Sequence, residues 1–265
     1  MDNRPIGVFD SGLGGLTAVK QLIDVMPHES IVYFGDTGRV PYGNKGRDTI
    51  IRYTRDDISF LLNHNIKIII AACGTASSVA LPHLEDFGVK VIGVLEPACR
   101  AAVSRSKNHR IGVIGTLGTV KSGKYAQIIN SISPEAKVFS AACPMFVPLV
   151  ENGYAEGDVA RIIAADYLTP LKEAGVDTLI LGCTHYPLLE GVIGDIMGKD
   201  VELISSGREA ACYAKALLTE ADMLTGSTEP GEHEFYVSDS AENFAELGGI
   251  FLGQDIELCV HQTEI

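Results

Sequence analysis

The chain has 265 residues, enough for one large domain or for two of about 110–150 residues. Apolar residues make up 46% of the sequence, but their runs are shorter than the roughly 18 residues that a membrane helix needs. The formal net charge of −13, with no cluster of Lys and Arg, argues against binding to nucleic acid.

The N-terminal part of the chain alternates predicted strands and helices. The first strand covers residues 4–9 and begins almost at once, without the pattern of a signal peptide, so we expect a cytoplasmic protein. A glycine-rich loop and a helix to about Val25 follow. We then predict strands at 31–34, 66–72 and 89–94, helices at 47–63 and from Ser77, and an end to the series at 95–97. The loop 37–45 is long and rich in turn-forming residues, which makes it a candidate functional loop.

A second series of strands and helices begins at Ile111. We predict strands at 111–114, 137–141, 178–181, 202–204 and 234–237. We predict helices from Lys121, at 157–174, after Cys183, at 208–218 and at 241–247. Residues 144–153 are predicted as a loop and turn, and residues 225–232 as a hairpin or linker.

The two series resemble each other. IGVFDSGLGGLTAVK at residue 6 is similar to IGVIGTLGTVKSGK at residue 111, an offset of 105 positions. Strands that alternate with helices indicate mostly parallel sheets. We therefore predict an α/β fold of two pseudo-symmetric open α/β domains, formed by residues 1–97 with 208–265 and by residues 98–207, with the active site in the cleft between them.

Two cysteines follow apolar strands at similar places in the two series. Cys73 ends KIIIAAC and Cys183 ends LILGC, and each is followed closely by a threonine and the start of a helix. A helix N-terminus lowers the pKa of a thiol, and a nearby His or Asp can hold its proton. We therefore predict chemistry at these two cysteines, with His185 as a candidate assistant. We interpret the other four as small residues of the core: Cys99, Cys143, Cys212 and Cys259.

The loop Asp10–Gly15 follows a strand and opens a helix, so its amides could cradle an anion. A dinucleotide site is one alternative, supported by Asp36 at the end of the next strand. Against it, Thr17 stands where a third glycine is needed, and Asp10 would set a negative charge beside the pyrophosphate. Glycines that merely form a tight turn are the other alternative.

Six segments, taken in order, resemble the glutamate racemases of the cofactor-independent aspartate/glutamate racemase family. They are IGVFDSGLGGLTAVK, YFGDTGRVPYGNK, AACGTASSVALP, GVLEPA, PLVENG and LGCTHYPLL, and the resemblance extends over essentially the whole chain. The resemblance implies two facing α/β domains and a racemisation that inverts Cα of glutamate, supplying D-glutamate for peptidoglycan.

The resemblance also implies roles for individual residues. Cys73 and Cys183 would be the two acid/base residues, assisted by Asp10 on one side and by Glu151 with His185 on the other. From the residues alone, Glu151 could equally be a turn-forming surface residue. The matching substrate-binding positions are Asp10, Ser11, Pro41, Tyr42, Gly43, Gly74, Thr75, Thr116, Thr119, Thr184 and His185.

One position departs from the family pattern. The family usually reads Cys-Asn-Thr, and this chain reads Cys73-Gly74-Thr75. The asparagine side chain would contact the amino and carboxylate groups of the substrate, a contact worth about 0.5–3 kcal/mol. Gly74 leaves three readings open: weaker binding of glutamate, with or without a water in the gap; a preference for aspartate or a related amino acid; or a non-catalytic amino-acid-binding protein.

We expect no metal, nucleotide or pyridoxal phosphate. The expected partner is a small-molecule substrate, glutamate, and no nucleic acid or membrane. Family members form dimers in several arrangements, so the resemblance also leaves a homodimer open to this chain.

Overall fold

The computed structural model describes residues 1–253, 256 and 259–264. Within them, strands and helices alternate along the chain, as predicted. The strands are β1 (Ile6–Asp10), β2 (Ile31–Gly35), β3 (Ile68–Ala71), β4 (Lys90–Gly93), β5 (Arg110–Gly115), β6 (Lys137–Ala142), β7 (Thr178–Leu181), β8 (Glu202–Ser205), β9 (His233–Val237) and β10 (Val260–Gln262).

The helices lie between the strands and cover the sheets. They are α1 (Leu16–Val25), α2 (Arg47–Leu62), α3 (Leu95–Arg105), α4 (Leu117–Ser122), α5 (Lys124–Ile132), α6 (Phe146–Glu151), α7 (Asp158–Glu173), α8 (Glu190–Met197), α9 (Ser206–Glu220) and α10 (Ala241–Leu252). None of those in the described part of the chain is both long and apolar enough to cross a membrane.

The strands form two parallel sheets. The first sheet has six strands in the order β10-β9-β2-β1-β3-β4, and the second has four in the order β6-β5-β7-β8. Strands β1, β2, β3 and β7 are buried along their whole length, as expected where helices cover both faces of a parallel sheet. The predicted α/β class with mostly parallel sheets is therefore confirmed.

The order β2-β1-β3-β4 in the first sheet repeats as β6-β5-β7-β8 in the second, so the weak sequence repeat corresponds to a structural one. The pairing of β1 with β3 ends at Phe9 and Ala71, and that of β5 with β7 ends at Ile114 and Leu181. Cys73 and Cys183 each stand two residues beyond the last pair. The division of the chain into residues 1–97 with 208–265 and residues 98–207 stays a prediction about domains.

Several elements differ from the prediction. Residues 95–97 do not end a series but begin α3, because Pro97 lies in the first turn, where a helix tolerates proline. The helix predicted from Lys121 begins at Leu117, capped by the Thr116 hydroxyl, and breaks at Gly123, which has a φ of 64°. Residues 144–153, predicted as a loop, contain α6. The helix predicted to end at residue 247 continues through two glycines to Leu252, and β10 was not predicted.

Candidate active site

A cavity of about 370 Å³ lies where the C-terminal ends of strands from both sheets meet. Both strand-end cysteines line it, as does His185. Such strand ends are the usual place for a ligand in an open α/β sheet. Nine other predicted site positions line the cavity together with those three: Ser11, Pro41, Tyr42, Gly43, Gly74, Thr75, Thr116, Glu151 and Thr184.

Cys73 lies at the N-terminus of a short π-helix, Ala76–Ala80. Its Sγ accepts the Ala76 N–H at 3.4 Å and lies 3.6 Å from the Ser11 hydroxyl oxygen. Burial raises the pKa of the Cys73 thiol to about 12, and the nearby Asp10 carboxylate raises it further while the two contacts lower it. At neutral pH Cys73 is therefore a neutral thiol.

Cys183 has a different environment, because His185 lies beside it. The Cys183 Sγ is 4.0 Å from Nδ1 of His185, and Nε2 of the same ring is 2.9 Å from a Glu151 carboxylate oxygen. Burial alone would lower the pKa of His185, but its contacts with Cys183 and Glu151 raise it to about 10. At neutral pH the ring is an imidazolium whose two N–H groups face the Cys183 sulfur and the Glu151 carboxylate.

Asp10 lies behind the cavity wall and connects the two sides of the site. One carboxylate oxygen accepts the Gly12 N–H at 3.2 Å, and the other accepts the Thr184 hydroxyl at 3.4 Å. Burial raises the pKa of Asp10, although the His185 ring opposes the rise. Asp10 is thus within electrostatic reach of both Cys73 and His185, but it does not itself line the cavity.

Three threonine hydroxyls form a cluster that joins the two sheets. Thr75 Oγ1 lies 2.9 Å from that of Thr116 and 3.5 Å from that of Thr119, and the latter two are 3.1 Å apart. Thr116 also accepts the Thr119 N–H as the N-cap of α4. Hydroxyls and a helix N-terminus are suited to bind a carboxylate. Thr119 supports this cluster from behind and does not line the cavity.

The loop 37–45 enters the cavity through Val40, Pro41, Gly43 and Asn44. Tyr42 lines the cavity too, but its hydroxyl bonds with Asp36 and Asp57 at 2.5 and 2.9 Å on the other side. Arg39 also bonds with Asp36 and Asp57. Two residues of the loop itself, Arg39 and Tyr42, therefore tie it to the carboxylates of Asp36 and Asp57.

The residues that favoured a dinucleotide site after β1 make other contacts. A Cβ at Gly14 would overlap the Thr184 hydroxyl and the His185 ring, so Gly14 allows this loop to pack against the other side of the cleft. Asp36, the candidate ribose ligand, instead bonds with Arg39, Tyr42 and Ser238. Within the described residues, no three His, Cys, Asp or Glu side chains form a group able to hold a metal ion.

Some predictions about individual residues were wrong, and some residues were missed. Cys212 and Cys259 are exposed, not part of the core, whereas Cys99 and Cys143 are buried in it as predicted, and Cys143 also lines the cavity. Glu151 is on a helix and bonds with His185, so it is not a free surface residue of a turn. Five cavity residues had no signal beyond being apolar or part of a turn: Val40, Leu117, Pro144, Val147 and Pro148.

This combination of two parallel-sheet halves and paired strand-end thiols defines a class, the amino-acid racemases. The chain matches the model of the Asp/Glu/Hydantoin racemase family over residues 20–214, and it belongs to that family. A glutamate racemase of Geobacter metallireducens is 47% identical over 251 residues, covering 94% of this chain and 93% of that protein.

Solved structures give the same result. A glutamate racemase isoform of Bacillus anthracis superposes with a TM-score of 0.96 at 36% identity, covering 100% of this chain and 99% of that one. The glutamate racemase of Francisella tularensis, solved in complex with D-glutamate, superposes with a TM-score of 0.90 at 37% identity, covering 100% and 98%. Within the family, this chain therefore groups with the glutamate racemases.

Proposed function

We propose that this protein interconverts L- and D-glutamate without a cofactor, using Cys73 and Cys183 as the two acid/base residues. The observation that carries the proposal is that both thiols line one cavity, each two residues beyond the last pair of an equivalent strand in its own sheet. Inversion needs a base on each face of Cα, because a single base returns the proton to the face from which it came.

The two thiols need opposite protonation states at the start of a turnover. In the free site, Cys73 is neutral because it is buried close to Asp10. Cys183 lies beside the charged His185 ring, with its Sγ 4.0 Å from Nδ1. We infer that Cys183 removes the α-proton first from one enantiomer, and that the Cys73 thiol donates a proton to the opposite face. The reverse direction begins with Cys73 as the thiolate, which the substrate ammonium group would favour once bound.

The carbanion formed next to a carboxylate carries its charge as an enediolate, which needs hydrogen-bond donors. We assign this role to the hydroxyls of Thr75 and Thr116 and to the N-terminus of α4, which lie on the cavity wall. Ser11 and Thr184 add two hydroxyls on the other side. The apolar residues of the wall limit the water that could protonate the carbanion from solution.

Proton removal from an α-amino acid fits the relatives' activity. The similar proteins of Geobacter, Bacillus and Francisella are glutamate racemases, and the last is solved with D-glutamate. We therefore propose glutamate as the substrate of this chain and D-glutamate for peptidoglycan as the product that it supplies. A cytoplasmic location and a homodimer are part of the same proposal.

The experiment that tests the function follows circular dichroism of the amino acid in solutions of D- or L-glutamate and D- or L-aspartate. The proposal predicts loss of the signal from both glutamate enantiomers, at a rate well above that for aspartate. A rate for aspartate equal to or above that for glutamate would assign the activity to aspartate. Tight glutamate binding in calorimetry without any change in the signal would show a non-catalytic binding protein.

A further inference from the structure

The floor of the cleft is a contact between two backbones. Gly74 follows Cys73 at the end of β3, and Gly182 precedes Cys183 at the end of β7. A Cβ built on Gly74 would overlap the Gly182 carbonyl oxygen, deep inside van der Waals contact. The residue next to one thiol therefore touches the residue next to the other, directly across the cleft.

The Gly182 carbonyl has little freedom to retreat. The Gly182 N–H donates to the Ile114 carbonyl at 2.8 Å, which continues the pairing of β7 with β5. A Cβ on Gly182 would lie 2.6 Å from that same oxygen and 3.2 Å from the Tyr125 ring. The second sheet therefore packs closely behind Gly182, and any side chain at position 74 would push the two strand ends apart.

The contacts beside this one have the same character. A Cβ on Gly43, in the loop 37–45, would lie 2.8 Å from the Cβ of Thr116. A Cβ on Gly118, in α4, would lie 3.1 Å from the Gly43 carbonyl oxygen and 3.4 Å from Thr75. Glycines thus allow the close approach of the two sides at three places along one edge of the cavity.

We propose that Gly74 is a positioning residue that sets the distance between Cys73 and Cys183, through its contact with the Gly182 carbonyl. The proposal rests on the two-thiol function proposed above. A side chain at position 74 would widen the contact by roughly 1 Å before ordinary atomic separations are reached. A displacement of this size at reacting groups typically costs about 100-fold in rate.

The proposal and the family pattern predict opposite effects on catalysis when Gly74 is replaced by asparagine. If Gly74 merely removes a substrate contact, replacing it by asparagine restores that contact and improves catalysis. If Gly74 sets the spacing, the same replacement forces the thiols apart and impairs catalysis. The family pattern places an asparagine side chain at this position. In this structure the Gly182 carbonyl oxygen occupies the place where that side chain would begin.

The test compares Gly74→Ala and Gly74→Asn with the wild type. A matched control is Gly191→Ala in α8, where a built Cβ would meet no described atom within 4 Å apart from its chain neighbours and the backbone of its own helix. We expect both Gly74 variants to lose about 100-fold in kcat for both enantiomers, with a much smaller change in KM. The control should stay within about twofold. Wild-type kcat in Gly74→Ala, or improved kcat/KM in Gly74→Asn, would overturn the proposal.

A second readout separates spacing from stability. In deuterated buffer, thiols held further apart leave the carbanion more time before the opposite thiol protonates it. The thiol that removed the α-proton can then exchange it for solvent deuterium and return the deuterium to the same face of Cα. The ratio of deuterated substrate with retained configuration to inverted product should therefore rise in the Gly74 variants, whereas partial unfolding would lower both products equally. Gly118→Ala adds a milder steric overlap at the same edge of the cavity, so it should raise the ratio of retained deuterated substrate to inverted product by less. It carries the test if the Gly74 variants do not fold, and an unchanged ratio in it would then count against the proposal.

Crystal structures of the wild type and Gly74→Ala separate this proposal from the proposed function. If the wild type does not racemise glutamate, the proposed function fails. The spacing is still measured directly, as the distance between the backbones at positions 74 and 182. An increase of roughly 1 Å supports the proposal, and an unchanged distance contradicts it.

Discussion

The ion pair between His185 and Glu151 should keep the His185 ring charged in the active site. Its Nε2–Oε1 distance is 2.9 Å, and the His185 side chain is only 6% exposed. Burial opposes the charged ring, so the contacts with Cys183 and Glu151 must more than offset it to hold the pKa at about 10. Glu151→Gln removes the negative charge while it keeps the size of the side chain, so the pKa of His185 should fall.

The size of the fall can be worked out from the contact. A hydrogen bond to a charged group contributes about 1.5–3 kcal/mol, and one pKa unit corresponds to about 1.36 kcal/mol. The Glu151 side chain is 36% exposed, so water screens the pair and the lower end of the range applies. We expect Glu151→Gln to lower the pKa of His185 by about one unit, which leaves the ring charged at neutral pH.

The same shift affects stability. The pKa of His185 in the folded protein is raised above its ordinary value of 6.5, so the charged ring stabilises the fold. This stabilisation is fully present below pH 6.5 and is lost as the pH rises through about 10. Glu151→Gln should therefore lower the free energy of unfolding by about 1.4 kcal/mol near pH 7. Once the ring is neutral in both proteins, this difference disappears.

Two measurements check this prediction. Titration of the His185 ring by imidazole ¹⁵N NMR gives the pKa directly, and urea unfolding near pH 7 and above about pH 10.5 gives the stability difference. Glu156→Gln, at an exposed position nearby, makes the same charge change and should leave the titration unaltered. A His185 ring that titrates near 6.5 in the wild type, or that ignores Glu151→Gln, would refute the reasoning.

Other predictions concern the support of the site. Thr116→Val removes the N-cap of α4 and one hydroxyl of the cluster, so it should cost about 1 kcal/mol in urea unfolding and raise KM for glutamate; an unchanged KM would remove Thr116 from the binding site. Tyr42→Phe removes the hydroxyl between Asp36 and Asp57, and it should cost about 1–3 kcal/mol in the same assay. Lys67→Met leaves the buried carboxylate of Glu29 without its partner and should lower the free energy of unfolding by about 3–5 kcal/mol. Arg55→Met breaks the exposed pair with Glu85 and should lower it by under about 1 kcal/mol. Equal losses in the two variants would contradict the contrast in burial.

The sequence predicted the place of the thiols because it depends on local patterns. Cys73 and Cys183 each end a run of apolar residues, and parallel strands bring their C-terminal ends to one edge. The internal repeat added the second sheet, whose strand order copies four strands of the first. His185 was found through its place beside Cys183 in the chain.

Contacts between distant segments could not be predicted in this way. Glu151 reaches His185 only because residues 146–151 form a helix, which prolines had suggested was a loop. Tyr42 was predicted as a substrate-binding position, but nothing in the sequence indicated that Asp57, in α2, bonds with its hydroxyl. At Gly74 the sequence indicated an empty space, and only the approach of Gly182 from the second sheet reveals that the space is filled.

The central claim is that Cys73 and Cys183 act on opposite faces of one Cα. It is tested most directly by NMR of solvent deuterium entering Cα of D- and of L-glutamate in Cys73→Ala and Cys183→Ala. Cys99→Ala is the control, since that thiol is buried but does not line the cavity. Each active-site variant should stay folded, stop racemisation and lose exchange with one enantiomer only, the two variants losing opposite enantiomers, while the control keeps both. Full racemisation by Cys73→Ala or Cys183→Ala would contradict the account.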